Sequence, residues 1–568
     1  LAAPRACRLR GIRLVLPAAL LLAGGGWLWP GAAKQPPGIP AGITADIRVG
    51  YGGYVVPDVW IPVVLRLRSD REIAGWVEVV TARLRPPGQE RVQVPVHLLP
   101  GVPLRVTVPA VVHDPRAPLA VRLLEKEVVT AQWQADVLPG RLADAVVLGL
   151  TARPVGLQQL LDPGGRVRVA YVGEDELPAR WQLYEGVSAV VIRDLADHRL
   201  VPAQVEALAG WVASGGRLFV ASSLQELAAH PSLRPFLAAP VQPPPFPGAP
   251  ETVYAWGRGR VTVLPFDPFR ADLPPEEGAA WVRLLRAPAP QAFVETRSLL
   301  AILPDRPGTS RWLQGAVVLV LALYLGLLRT ILRWLLGGKA GRLLAAALLL
   351  GMTAVMATLN LAARRAAFSF VQGAVALGLP ERQAAVVESV GRVILPRRGT
   401  FSLHAGAEVL VRSLGAAETS LLLDQVVRFE GTAHVLPVHA VALLPLAVRG
   451  SYREGPEGVE VQIENRSGRR LSNPVVFQGG RIQSVPPPEP EVRVVLSPLR
   501  WRDPPADGGR DLRSRLWAWA FDRLRSDAIL SQTVHLVAWL DDDRGLLRWP
   551  TAAPLLLVLP LSRVEGVP

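Results

Sequence analysis

VSAVVIRD at 187–194, PAQVEALAGWVAS at 202–214 and RLFVAS at 217–222 follow one another with little between them. The first and third are short runs of Val, Ile, Leu and Phe without polar alternation, the pattern of strands buried on both faces. The middle run is long enough for three helical turns. Strand, helix and strand in that order predict a parallel sheet covered by helices. Two further apolar runs, ADAVVLGL at 143–150 and RVRVAYV at 166–172, precede them, and AWGRGRVTVLPFDPF at 255–269 reads as a closing hairpin with Asp267 in its final turn. Residues 143–300 are therefore expected to form one α/β domain. Ligands of such sheets sit beyond the carboxyl ends of the strands. That rule selects Asp194, Ser222 and Ser223 as ligand-binding candidates, although an Asp at a strand end equally serves as a cap.

Upstream, residues 41–141 alternate apolar and polar residues in short runs such as GWVEVVTARL and RVQVPVHLL, separated by Pro or Gly. Alternation without a helical period predicts an antiparallel β-sandwich, and Pro139 and Gly140 mark its junction with the α/β domain. Downstream, residues 384–568 are again strand-rich and predict one or more β-rich domains. DLRSRLWAWAFDRL at 511–524 reads as an amphipathic helix, and VHLVAWLDDD and APLLLVLPLS as strands.

Between these parts lie QGAVVLVLALYLGLLRTILRWLL at 314–336 and LLAAALLLGMTAVMATLNLAA at 343–363. Each has the length needed to cross a bilayer. The turn between them is cationic, which predicts a transmembrane hairpin with its turn in the cytoplasm. Residues 1–34 carry five cations and no acid, then an apolar run and small residues, the form of a signal peptide or N-terminal anchor. Residues 306–365 carry eight cations and no acid, so these two stretches hold almost all of the +14 net charge. The basic balance is thus that of membrane flanks, and nucleic acid is not an expected partner.

Chemistry is sparse. No GxxxxGK[ST], no GxGxxG after a strand and no HExxH occurs, and the single cysteine, Cys7, lies in the leading basic region. Nucleotide hydrolysis, zincin chemistry and cysteine catalysis lose their usual signatures. His434 and His439 are five apart, which puts them on opposite faces of a strand. Asp541–Asp543 is an isolated acidic triplet in a turn. No metal and no cofactor is expected.

The succession YEGVSAVVIRD, QVEALAGWVASGG and RLFVASSLQEL, within residues 143–270, resembles the core of class I glutamine amidotransferase-like domains. The resemblance implies a flavodoxin-like α/β fold in which the last of these strands leads to a nucleophile elbow. Ser222 falls near that position, but Val220 and Leu224 stand where the family has glycines, and the family's Cys, His and Glu have no counterparts. The whole layout resembles uncharacterised bacterial membrane proteins with such a domain outside the cytoplasm and without its triad. The chain is accordingly expected to be a multidomain membrane protein of the cell envelope, with its bulk extracytoplasmic. It is expected to be non-catalytic and to bind a ligand or an envelope protein partner. Two alternatives stand beside this: a serine hydrolase or transferase using Ser222, and an accessory subunit of a transporter.

Overall fold

The computed structural model describes residues 42–264, 296–303 and 369–563, less short internal stretches of which 152–166 and 243–251 are the longest, together with a few single positions. The apolar segments 314–336 and 343–363, except for the single positions Ala322, Gly326 and Gly351, lie outside the described residues, as do residues 1–34, His434 and Asp541–Asp543. Among the described residues no helix is long and apolar enough to cross a membrane. The described chain is mostly β-sheet, in five sheets.

One sheet has seven strands, in the spatial order Val241–Gln242, Thr252–Trp256, Gly259–Leu264, Arg217–Ala221, Val187–Arg193, Ala145–Leu150 and Val167–Tyr171. The five from Gly259–Leu264 onward are mutually parallel, and the first two join antiparallel. Counted along the chain, the parallel five lie in the order 2-1-3-4-5, one of the doubly wound orders, with the winding reversing between the first and third strands. Their apolar runs are buried on both faces: Val190, Val191 and Ile192 are fully buried, as are Val146, Val147 and Leu148. Each such side chain stabilises the fold by about 1.5–3 kcal/mol.

The helix Pro202–Ala213 starts with Pro202, where the missing N–H costs nothing. Gln204 accepts from the Val201 N–H at 3.0 Å and donates to the carbonyls of Glu174 and Leu177 at 2.6 and 3.0 Å, which fixes the helix against the loop after the edge strand. The helix ends at Gly215, whose φ of +127° is open to glycine alone among common residues.

The N-terminal strands form two sheets. Ile43–Val49, Trp60–Ser69 and Leu104–Val111 make a three-stranded antiparallel sheet. Ile73–Leu84, Pro87–Leu98, Leu119–Glu125 and Val128–Ala135 make half of an eight-stranded sheet. Its other half comes from far down the chain: Gly399–Ala405, Glu418–Leu422, Val426–Gly431 and Leu547–Arg548. The seam is a parallel pairing of Glu418–Leu422 with Pro87–Leu98, running from Thr419 opposite Glu90 to Leu422 opposite Gln93. The segment read as a self-contained sandwich therefore completes one of its sheets with strands from beyond residue 398.

The remaining strands form an eight-stranded sheet, which includes Leu410–Ser413, Val435–Pro445, Ala384–Ile394 and Ser369–Leu379, and a four-stranded one. The β-rich part begins at Ser369, ahead of residue 384. The run FVQGAVALGL is apolar on both faces and follows an apolar segment, so its periodicity does not distinguish strand from helix. The helix Leu512–Ser526 packs its buried Leu516, Ala520, Phe521 and Leu524 against this sheet, with Trp517 5.0 Å from Phe521 and 5.8 Å from Trp539 between ring centroids. The short helix Thr296–Ile302 lies beside it, joined by a bond from Trp519 Nε1 to Ser298 Oγ at 3.1 Å.

Candidate functional site

The carboxyl ends of the parallel strands gather a small set of polar side chains. Thr151 follows Ala145–Leu150 and Asp194 follows Val187–Arg193, the two strands between which the winding reverses. Thr151 Oγ1 donates to Asp194 Oδ2 at 3.1 Å. The other carboxylate oxygen, Oδ1, accepts from Arg193 Nε at 3.1 Å, and Arg193 Nη1 is 3.0 Å from Oδ2 of Asp267, beyond the strand Gly259–Leu264. Arg193 thus ties the carboxylate after its own strand to one beyond a strand two places away in the sheet. Each of the three charged side chains is about a quarter exposed, so the group is accessible without being fully solvated.

Asp194 also has φ of +56°, the left-handed region. For a non-glycine residue that conformation costs on the order of 1 kcal/mol or more, and Asp tolerates it better than most. Both of its carboxylate oxygens are held, one by Thr151 and one by Arg193, at the point where the strand order reverses.

Ser222 and Ser223 follow Arg217–Ala221 and form a local structure. Ser223 is the N-cap of the six-residue helix Leu224–Ala229: Ser223 Oγ accepts from the Glu226 N–H at 3.2 Å, and Glu226 Oε2 accepts from the Ser223 N–H at 3.1 Å. This is a capping box, legible in the spacing S-x-x-E. The Ser222 hydroxyl lies 2.7 Å from the same Glu226 oxygen and 3.1 Å from the Ser223 carbonyl. The Ser222 hydroxyl, with the Ser223 N–H and hydroxyl, holds the Glu226 carboxyl below its ordinary range. The hydrogen bond from Ser222 thus adds a third contact to the carboxylate that closes the capping box.

No family model, no curated protein and no solved structure matches the chain. The site's chemistry therefore stands on its geometry. Asp194, Ser222 and Ser223 all lie at the carboxyl edge of the sheet, but only Asp194 joins the cluster of side chains drawn from several strands. Thr151 and Arg193, which position it, escaped the sequence reading. Arg193 closes the run VVIRD and Thr151 follows VVLGL directly, so the signal available was adjacency to the strand ends. Among the described residues no group of three or more His, Cys, Asp or Glu side chains is arranged to hold a metal ion. What the cluster can do is accept hydrogen bonds from a ligand at Asp194 and Asp267 and donate from Arg193.

Proposed function

We propose that the chain is a non-catalytic membrane protein of the cell envelope, whose α/β unit binds a ligand or protein partner at the edge formed by Thr151, Arg193, Asp194 and Asp267. The observation that carries the binding reading is Asp194, held in a left-handed backbone by the fold and hydrogen-bonded by Thr151 at the reversal of strand order. The 2-1-3-4-5 order is consistent with a degenerate class I glutamine amidotransferase-like domain. The engagement of the Ser222 hydroxyl by Glu226 and the absence of cysteine beyond Cys7 favour binding over acyl transfer.

Two contacts support the membrane arrangement. Leu303, the last described residue before the apolar segments, packs against the strand that follows them: a Cβ on Gly373 would lie 3.2 Å from Leu303 Cδ2. The described chain therefore stops at Leu303 beside the strand Ser369–Leu379, on which it resumes. Segments 41–141 and 399–431 also share a sheet, so both must occupy the same compartment. A bilayer excursion between them crosses an even number of times, as a two-helix hairpin does. With the positive-inside turn at Lys339, that compartment is extracytoplasmic.

Reporter fusions after residues 300 and 568 are expected to report an extracytoplasmic location, and a fusion at Lys339 the cytoplasm. A cytoplasmic C-terminal fusion would overturn the arrangement. Crosslinking in native membranes is expected to recover a partner with the wild-type chain and to lose it with Asp194→Asn. Equal recovery with both chains moves the site elsewhere. The hydrolase alternative is tested by a fluorophosphonate probe, since labelling abolished by Ser222→Ala would replace the binding reading.

A further inference from the structure

The C-terminal unit carries a cavity of about 560 Å³ between the strands Leu471–Gln478 and Arg481–Ser484 and the helix Leu512–Ser526. Three local features open it. In Leu471–Gln478 two residues, Asn473 and Pro474, stand opposite the single Ala538 of the neighbouring strand, a bulge that bends the strand and re-aims its side chains. Asn473 has φ of +50° there and is exposed. After Ser484 the chain runs VPPPEP, and its prolines have no N–H with which to extend the ladder across the space. Arg502 then returns to the edge strand, where it exchanges two backbone hydrogen bonds with Ile482, at 2.8 and 3.1 Å. Its side chain is thereby set on the rim.

The walls are apolar. Pro474, Val475, Ile482 and Val485 come from the sheet side, and Trp517 and Phe521 from the helix. Phe521 is buried, but Trp517 is only partly so and presents ring surface to the space. The volume lies within the roughly 300–1,000 Å³ of small-molecule sites.

The rim is made of donors. Among the described residues Arg502 is the only charged one that lines the cavity, and it is exposed. Its Nη2 donates to Ser484 Oγ at 3.1 Å. No carboxylate of the described residues pairs with it, the adjacent Asp503 included. Other acids of the flanking segments are engaged elsewhere: Asp511 accepts from the Ser514 N–H at 2.9 Å and from its hydroxyl at 2.7 Å, and Glu489 lies 3.8 Å from Arg470 Nε. The Asn473 carboxamide, also on the rim, has no hydrogen-bond partner among the described residues.

These features select an occupant by charge and by shape. A guanidinium without a carboxylate, fixed at the mouth of an apolar cavity, favours an anion with an apolar body, and its fork takes a carboxylate through two N–H groups at once. Aromatic walls favour a ring as that body, since ring pairs add to what area burial alone provides.

We propose that this cavity binds a small arylalkanoic acid. Its carboxylate pairs with Arg502 and accepts from the Asn473 carboxamide, and its ring lies against Trp517. The site belongs to a different sheet from the Asp194 edge and does not rest on the reading given for that edge.

The test is calorimetric titration of the purified full chain in detergent, against a detergent blank, with phenylpropionate, phenylpropanol and acetate. Phenylpropionate is expected to bind saturably at one site. Phenylpropanol keeps the ring without the charge, acetate keeps the charge without the ring, and each is expected to bind at least tenfold more weakly. Arg502→Gln is expected to cost phenylpropionate tenfold or more. Asn473→Gly, which suits the left-handed backbone and removes the carboxamide, is expected to cost severalfold. Circular dichroism of each variant checks folding, and Asp194→Asn is expected to bind like wild type. Absence of saturable phenylpropionate binding by the wild-type chain overturns the proposal, as does equal binding of phenylpropanol or acetate. Binding unchanged in Arg502→Gln, or abolished by Asp194→Asn, does the same.

Discussion

The guanidinium of Arg392 holds the carbonyl of Leu303. Its Nη1 donates there at 3.0 Å, and its Nη2 donates to the carbonyl of Leu300, also at 3.0 Å. Arg515 adds a bond from Nη1 to the Ile302 carbonyl at 3.1 Å. The orphan carbonyls that end the helix Thr296–Ile302 are thus satisfied by cations from the C-terminal unit, where the helix dipole favours positive charge. Arg392→Ala is expected to lower the unfolding free energy by roughly 2–3 kcal/mol. Arg392→Lys should recover only part of that, because an ammonium lacks the fork that spans two carbonyls. Denaturant unfolding followed by tryptophan fluorescence measures both, and an unchanged midpoint for Arg392→Ala would contradict the role.

Asp194 separates backbone strain from side-chain chemistry. At φ of +56° a glycine carries no steric penalty, whereas alanine does. Asp194→Ala is therefore expected to be less stable than Asp194→Gly by about 1 kcal/mol, while both lose ligand binding because neither has a carboxylate. Thermal unfolding of the two variants decides it. Alanine as stable as glycine would mean the strain is absent.

Tyr51 and Tyr184 are expected to resist ionisation. Burial raises both phenols above their ordinary range, and for Tyr51 the neighbouring Tyr184 and Glu185 add to it. The Tyr51 hydroxyl donates to the Leu183 carbonyl, and the Tyr184 hydroxyl to that of Pro178 at 3.0 Å. Because the folded pKa values are raised, their contribution to stability is fully present below the unfolded value of about 10 and declines as pH rises beyond it. Of the seven tyrosines, these two should ionise only together with alkaline unfolding, read as a late step in absorbance near the phenolate band. Smooth titration of all seven before unfolding would count against their burial.

A fragment ending at residue 303 leaves Pro87–Leu98 without its partner Glu418–Leu422. An unpaired strand of that length invites edge-to-edge association. The fragment is expected to self-associate in size-exclusion chromatography, and co-production with residues 369–568 should restore a one-to-one complex. A monomeric fragment by itself would show that the seam is dispensable.

The local rules were legible where one element decides its own state. VSAVVIRD and RLFVAS read as buried strands because nothing in them alternates, whereas Ser223, read as a ligand candidate, is the N-cap that its S-x-x-E spacing allows. The rule that looks to strand ends picked Asp194, Ser222 and Ser223, and all three do follow strands at the sheet's carboxyl edge. What sequence could not convey is partnership across distance. Nothing in ETSLL distinguishes a strand that pairs with its neighbour from one that pairs with Pro87–Leu98, since both need only a two-residue period. Thr151 became significant only through the side chain it faces, and the cavity beside Arg502 exists only where a bulged strand, a proline-rich segment and a helix meet.

The pairing of Thr419 with Glu90 spans about 330 residues of chain. At a synthesis rate of roughly 5–20 residues per second, the earlier strand emerges some 15–65 seconds before its partner exists. During that interval the first half of the sheet has been made and its seam is vacant. Completion of this sheet is therefore paced by elongation rather than by local folding, and any factor that shields nascent strand edges has a defined window in which to act.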